Sequence, residues 1–282
     1  MSSRKQKKVT IQTSHLFPVL DKMLLKLLRS LTEEEWEQPT IAKLWSVKDI
    51  AAHLLDGNLR GLSIARDGHM GDLPINIQSY QDLVGYLNGL NHGWTGAAKR
   101  LSPRVIVNLL ETTGKQYNQY LKKLSSFEDA IFPVAWAGHT VSPNWFHTAR
   151  EYTEKFLHQQ QIRDAVGKQA LFTKKLYYPF LDTFMQALPH AYNDALADTG
   201  SIVSVIVTGK AGGEWHIIKK EEGWKLAKKI KESAAATVNI DPYDAWKIFS
   251  KGMPVEEALT KVTIKGKQEL GKVALQMVAV MA

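Results

Sequence analysis

Helix-start signals recur through the first half of this chain. Thr32 is followed three positions later by Glu35, Ser46 by Asp49 and Ser79 by Asp82. In each pair a hydroxyl and a carboxylate can satisfy one another's free backbone N–H groups at the first turn of a helix. Ser102-Pro103 and Ser142-Pro143 add a second kind of opening, a hydroxyl cap followed by a proline whose missing N–H costs nothing there. Residues 13–31 carry Leu16, Phe17, Leu20, Leu24, Leu27 and Leu28 at helical spacing. Helices are therefore expected over 13–31, 32–36, 46–66, from 79 onward, over 102–125 and over 142–166, the last stopped by Gly167. Long amphipathic helices on short connections argue for an up-and-down bundle.

After Gly167 the texture changes. A helix near 173–196 leads into short β-branched or aromatic runs at 202–207, 213–218, 223–226, 235–240 and 262–264, with helical stretches at 243–249 and 269–281. The expectation is a multidomain chain, all-α followed by α+β. Its parts are a basic disordered tail over 1–10, a bundle over 11–170 and a small sheet-and-helix domain over 171–282.

Several function classes drop out. Cysteine is absent, so there is no disulfide framework, no cysteine zinc site and no protein thiol nucleophile. No run of 18 apolar residues spans a membrane. The basic start is not followed by an apolar signal core, so the expected location is cytoplasmic. The net charge of +8 raises nucleic acid as a partner, but four basic residues in the first eight supply half of it, and a solvated tail is the preferred reading. An oligomer is left open.

Two histidines and a glutamate attract attention as metal ligands: His53, and Glu154 with His158 about a hundred residues later. Four residues apart on a helix, Glu154 and His158 share a face and can reach one ion. His147 lies about 16 Å along the axis from His158 and Glu151 about 10 Å, too far to join them. Periodicity also allows a plainer reading. Trp145, Ala149, Tyr152 and Phe156 form the apolar stripe, which leaves Glu154 and His158 as a solvated pair on the opposite face and His53 at the margin of its own stripe.

The segments Leu31–Trp36, Trp45–Leu54 and Glu154–Gly167 resemble DinB-like proteins, specifically the mycothiol-dependent maleylpyruvate isomerase N-terminal branch. The resemblance implies an up-and-down four-helix bundle in which His53, Glu154 and His158 bind Zn2+, or Ni2+ or another divalent metal. Gly213-Glu214-Trp215, Gly223-Trp224 and Val262–Gly266 are similar to a sterol-carrier-like domain. Two departures stand out. Gln161 occupies a position that is often acidic in the family, and no arginine follows Arg163, whereas the isomerase uses a second-domain arginine. Lysine does not replace a bidentate guanidinium clamp, which points away from maleylpyruvate itself as substrate.

The chemistry expected is thiol activation. A divalent ion on two imidazoles and one carboxylate keeps positive charge and favours a bound thiolate. Without cysteine, the thiol must be a low-molecular-weight cosubstrate acting on a small electrophile by S-transfer or isomerisation. Asp56, Arg60 and Arg163 are candidates for the thiol- or substrate-binding cleft, with surface charges and helix-end partners as their plainer reading. The alternatives are a metal-dependent hydrolase and a noncatalytic binder of an apolar ligand, the latter through Ile202, Val203, Val205, Ile206, Val207 and Trp215.

Overall fold

The computed structural model describes residues 11–71 and 77–280, so the basic tail expected over 1–10 lies outside the described residues. The start signals work as chemistry predicts. Thr32, Ser46 and Ser79 form complete capping boxes with Glu35, Asp49 and Asp82, opening α2 (Glu33–Trp36), α3 (Val47–Arg60) and α4 (Tyr80–Ala98). Before them comes α1 (Phe17–Leu28), and Ser102 caps α5 (Pro103–Lys123). α6 (Asn144–Ala165) differs: the Ser142 hydroxyl accepts from the Val134 N–H at 2.9 Å, pinning the preceding loop, and Pro143 takes the cap position. Gly167, with φ +61°, ends α6 as expected.

α3 does reach Arg66, but its last turn, Gly61–Arg66, is π-helical. Gly61 begins that turn where the chain passes the Tyr117 ring so closely that an added Cβ would lie under 3 Å from it.

α1, α3, α5 and α6 form the four-helix bundle, α3 and α1 each packing on both α5 and α6. α4, also long, packs on α3 from outside. α6 is enclosed on most sides, with Phe146, Tyr152, Phe156, His158, Gln160 and Ile162 all buried. One face meets the bundle and another meets α7 (Lys174–Phe184), which continues through a 3-10 turn into α8 (Leu188–Ala191).

The second half is a five-stranded sheet of β1 (Ile202–Val207), β2 (Gly213–Lys220), β3 (Gly223–Ala227), β4 (Ala236–Ile240) and β5 (Thr263–Gly266). Their order is β3-β2-β1-β4-β5, with β1 and β4 parallel and every other neighbour antiparallel. α9 (Pro242–Phe249) and α11 (Gln268–Leu275) were legible in sequence. α10 (Val255–Lys261) was not, because seven residues are too few to show a period. The helix expected over 269–281 stops at Leu275, and Met281 lies outside the described residues.

The sheet's buried face, Val203, Val205, Val207 and Val238, joins Phe180 and Phe184 of α7, and the same apolar cluster runs on through Phe156 and Tyr152 to Phe17 of α1. Phe156 stacks on Phe180 with ring centres 4.5 Å apart. Burying a ring of this size contributes roughly 2–3 kcal/mol, so the aromatic seam ties sheet to bundle strongly.

Candidate metal centre

α3 and α6 lie side by side, and that packing brings His53 to Glu154 and His158. One ligand atom from each lies within 4.8 Å of the others. The imidazole rings of His53 and His158 meet edge to face at 4.7 Å. Trp45, from the loop closed by the Pro39–Ser46 bridge, stands against both, at 4.7 Å from His53 and 6.0 Å from His158.

His158 Nδ1 lies 2.8 Å from Gln161 Oε1. An amide oxygen can only accept, so Nδ1 donates to Gln161, and Nε2 faces Glu154 Oε2 at 3.3 Å. Gln161 thus performs the orienting task open to an acid at that position. Burial, and then the neighbouring charges of His158 and Arg60, push His53 well below the usual imidazole range, with Asn91 acting the other way. Its Nδ1 is buried without a hydrogen-bond partner among the described residues.

The solvated reading of the Glu154–His158 pair fails. His158 is only 7% exposed, because the side of α6 opposite its apolar stripe faces α3 and a cavity open to solvent at one end. That cavity, about 920 Å³, is also lined by Arg60, Leu87, Tyr117, Phe132 and Leu157. The second half contributes to it: Ser250, Lys251 and Gly252 from the turn after α9, together with Val280, line it beside Ile41–Trp45.

The three cleft candidates divide. Arg60 lines the cavity. Asp56 does not; it lies 2.8 Å from Arg60 Nε and lines a separate depression between α3 and α4, where burial raises its carboxyl. Arg163 is a helix-end partner, donating to the Gln169 carbonyl at 3.0 Å, and does not line the cavity. Position on a helix could not separate these outcomes, since Arg163 points past the end of α6.

Sequence reading missed a polar wall one turn N-terminal to Glu154. Arg150 Nη2 lies 2.9 Å from Glu151 Oε1 and 2.7 Å from His147 Nδ1, while its Nη1 donates to the Pro133 carbonyl at 3.2 Å. The Tyr117 hydroxyl donates to Glu151 Oε2 at 2.9 Å. Since a guanidinium only donates, His147 Nδ1 must accept, and His147 is held neutral. Burial, with Arg150 beside it, lowers His147 to about 4. Burial works to raise Glu151, but Arg150, His147 and Tyr117 outweigh it and hold it below the ordinary carboxylate range. The available signal was Arg150 itself, four residues before Glu154 and so on the face of the ligand pair.

Among the described residues, no helix is long and apolar enough to cross a membrane. Residues 19–163, just over half the chain, match the family model described as the mycothiol maleylpyruvate isomerase N-terminal domain. No curated protein matches the sequence. Crystal structures of the mycothiol-dependent maleylpyruvate isomerase and of its histidine-to-alanine mutant superpose with TM-scores of 0.54 and 0.55 at 11% identity, covering 94% of this chain and 96% of theirs. At that identity the likeness is one of fold, and it extends through bundle and sheet. A ubiquinone synthesis protein, UbiJ-SCP2, overlaps 36% of this chain and 89% of its own at a TM-score of 0.26 and 16% identity, too loose a superposition to assign a fold.

Proposed function

This chain belongs to the mycothiol maleylpyruvate isomerase N-terminal domain family, and from that premise we propose that it is a divalent-metal-dependent enzyme. It uses a low-molecular-weight thiol to isomerise, or transfer sulfur to, a small electrophile other than maleylpyruvate. The observation that carries the reading is the convergence of His53, Glu154 and His158 on one wall of a large cavity.

The donor set fits Zn2+ or a similar ion: two imidazoles and one carboxylate, with positions left open for exogenous ligands. When bound, such an ion supplies a Lewis acid that lowers the pKa of a coordinated thiol and holds the thiolate. The rest falls to the chain. Gln161 fixes the His158 tautomer, and Trp45 covers both rings and limits access of water. The cavity wall around Leu87, Phe132 and Leu157 lowers the local dielectric, which strengthens every charge contact inside. In isomerisation the sulfur adds to one carbon of a polarised double bond, the resulting single bond rotates, and expulsion of the thiolate restores the double bond. In S-transfer the C–S bond is kept and a proton completes the product.

Arg150 gives three of its five N–H donors, both of those on Nη2 among them, to Glu151, His147 and the Pro133 carbonyl, so it is not free as a bidentate carboxylate clamp. This supports an electrophile other than a dicarboxylate gripped by arginine. Water as nucleophile would need a free general base, and Glu151 is tied to Tyr117 and Arg150. Val203, Val205, Val207 and Trp215 are core residues, Trp215 donating to Asp182 at 2.8 Å, which disfavours the binder.

Metal analysis of the purified full chain and of His158→Ala, followed by thiol-dependent consumption of an activated alkene, tests the proposal. Stoichiometric metal lost in the variant and turnover strictly requiring added thiol are expected. Wild-type protein without stoichiometric metal after loading, or turnover independent of thiol, overturns it.

A further inference from the structure

At the mouth of the cavity stands a lysine in a backbone conformation that lysine disfavours. Lys251 has φ +62°, and it is the only non-glycine residue with positive φ among the described residues. It follows Ser250, the C-cap of α9, and so occupies the position where a left-handed glycine ordinarily ends a helix. The turn is tightly made: the N–H groups of Gly252 and Met253 both reach the Lys247 carbonyl, at 2.8 and 3.1 Å. Glycine would make the same turn without a Cβ penalty. Non-glycine residues are held in this conformation only where the surrounding structure over-determines them, and they cluster at active sites and ligand clamps, so the place Lys251 occupies is informative.

That place is the cavity. Lys251 lines it from the second half of the chain, and Lys43, on the Ile41–Trp45 segment, lines it from the first. The two segments touch: a Cβ added to Gly252 would lie 3.0 Å from Ile41 Cδ1. Both lysines are exposed, and neither has a hydrogen bond or ion pair among the described residues. The other cations on the cavity wall are committed, Lys155 to Asp21 at 2.9 Å, Arg60 to Asp56 and Arg150 to Glu151.

We propose that Lys251 and Lys43 form a carboxylate-recognition subsite at the cavity mouth, holding an anionic group of the ligand whose reactive end reaches the His53–Glu154–His158 wall. The inference deepens the proposed function by naming the ligand's chemistry. A lysine ammonium is a mobile point charge and sets no planar geometry, so the subsite favours a carboxylate at the end of a flexible ligand. That carboxylate can belong either to the thiol or to the electrophile.

Calorimetric titration of the full chain separates the sources, with mercaptosuccinate as the carboxylated thiol, 2-mercaptoethanol as the uncharged thiol and maleate as the carboxylated electrophile. The maleate arm is run on chelated protein, so it stands even if the metal reading fails. Lys251→Gly is the main variant, because it removes the ammonium while relaxing the turn: its thermal midpoint is expected to be unchanged or raised. Lys43→Gln is the independent second arm. Each is expected to weaken the relevant carboxylate roughly fivefold and to leave 2-mercaptoethanol within twofold. Loss confined to mercaptosuccinate places the carboxylate on the thiol, and loss for maleate places it on the electrophile. Affinities within twofold of wild type in both variants, or wild-type protein that binds neither carboxylate, overturns the proposal.

Discussion

Substitution of His147 by glutamine should flatten the acid side of the stability curve. His147 is 3% exposed and accepts from Arg150, and the folded protein keeps it neutral, lowering its pKa from 6.5 to about 4. In the unfolded chain the imidazole titrates near its ordinary value. Above pH 6.5 both states leave it neutral, and it contributes no pH dependence. Between 6.5 and 4 the unfolded state binds a proton that the folded state refuses, so stability falls as pH falls, and the loss is complete below the folded value. The interval is worth about 3 kcal/mol, at about 1.4 kcal/mol per pH unit. Glutamine offers a non-titrating acceptor to Arg150. His147→Gln therefore starts with a fixed penalty at pH 7 and loses less on acidification, and the difference between the two proteins shifts by about 3 kcal/mol from pH 7 to below 4. Urea unfolding at fixed pH values, with a chelator present so that His53 and His158 act alike in both proteins, reads this directly. Parallel curves for wild type and variant would show that Arg150 and burial do not hold His147 neutral.

The same geometry yields other expectations. Gly61→Ala puts a Cβ against the Tyr117 ring, and should cost roughly 1–3 kcal/mol in urea unfolding. Combined with Tyr117→Ser the cost should be less than additive, and strict additivity would mean that the two do not meet. Gln161→Leu leaves the His158 Nδ1–H unpaired, and should weaken zinc roughly 10–100-fold in competition with a chromophoric chelator while the far-ultraviolet dichroism stays unchanged. Zinc at about a hundred times its dissociation constant should stabilise the chain by about 2.7 kcal/mol, and His158→Ala should abolish that gain; equal gains in both proteins would place the metal elsewhere.

Much of the helical half was legible because its signals are local. A hydroxyl followed three residues later by a carboxylate makes its cap whatever surrounds it, and Thr32, Ser46 and Ser79 all did. Ser142 was misread because a hydroxyl before proline can serve either the helix ahead or the loop behind, and the Val134 N–H claimed it. The solvated reading of Glu154 and His158 failed for a different reason. Periodicity assigns a helix one buried face, whereas α6 is packed by the bundle on one side and by α7 on another, with the cavity between. Arg163 and Asp56 show the limit for single charges. A long side chain at a helix end or between two helices has several destinations, and the choice depends on which neighbour arrives.

The sequence by itself determined the caps, the change from helices to strands after Gly167, the absence of any protein thiol, and the three residues worth testing as ligands. The first three are set by bonding within a few residues or by composition, whereas the ligand set rests on the family resemblance of the segments that carry it. Tertiary structure decided that α3 lies against α6, that the enclosed side of α6 carries Glu154 and His158 to His53, and that the turn after α9 brings Lys251 to the same cavity. Those placements depend on contacts between residues about a hundred to two hundred positions apart. They form only when burial of the shared apolar core, from Phe17 through Phe156 to Val203, fixes the helices and the sheet together.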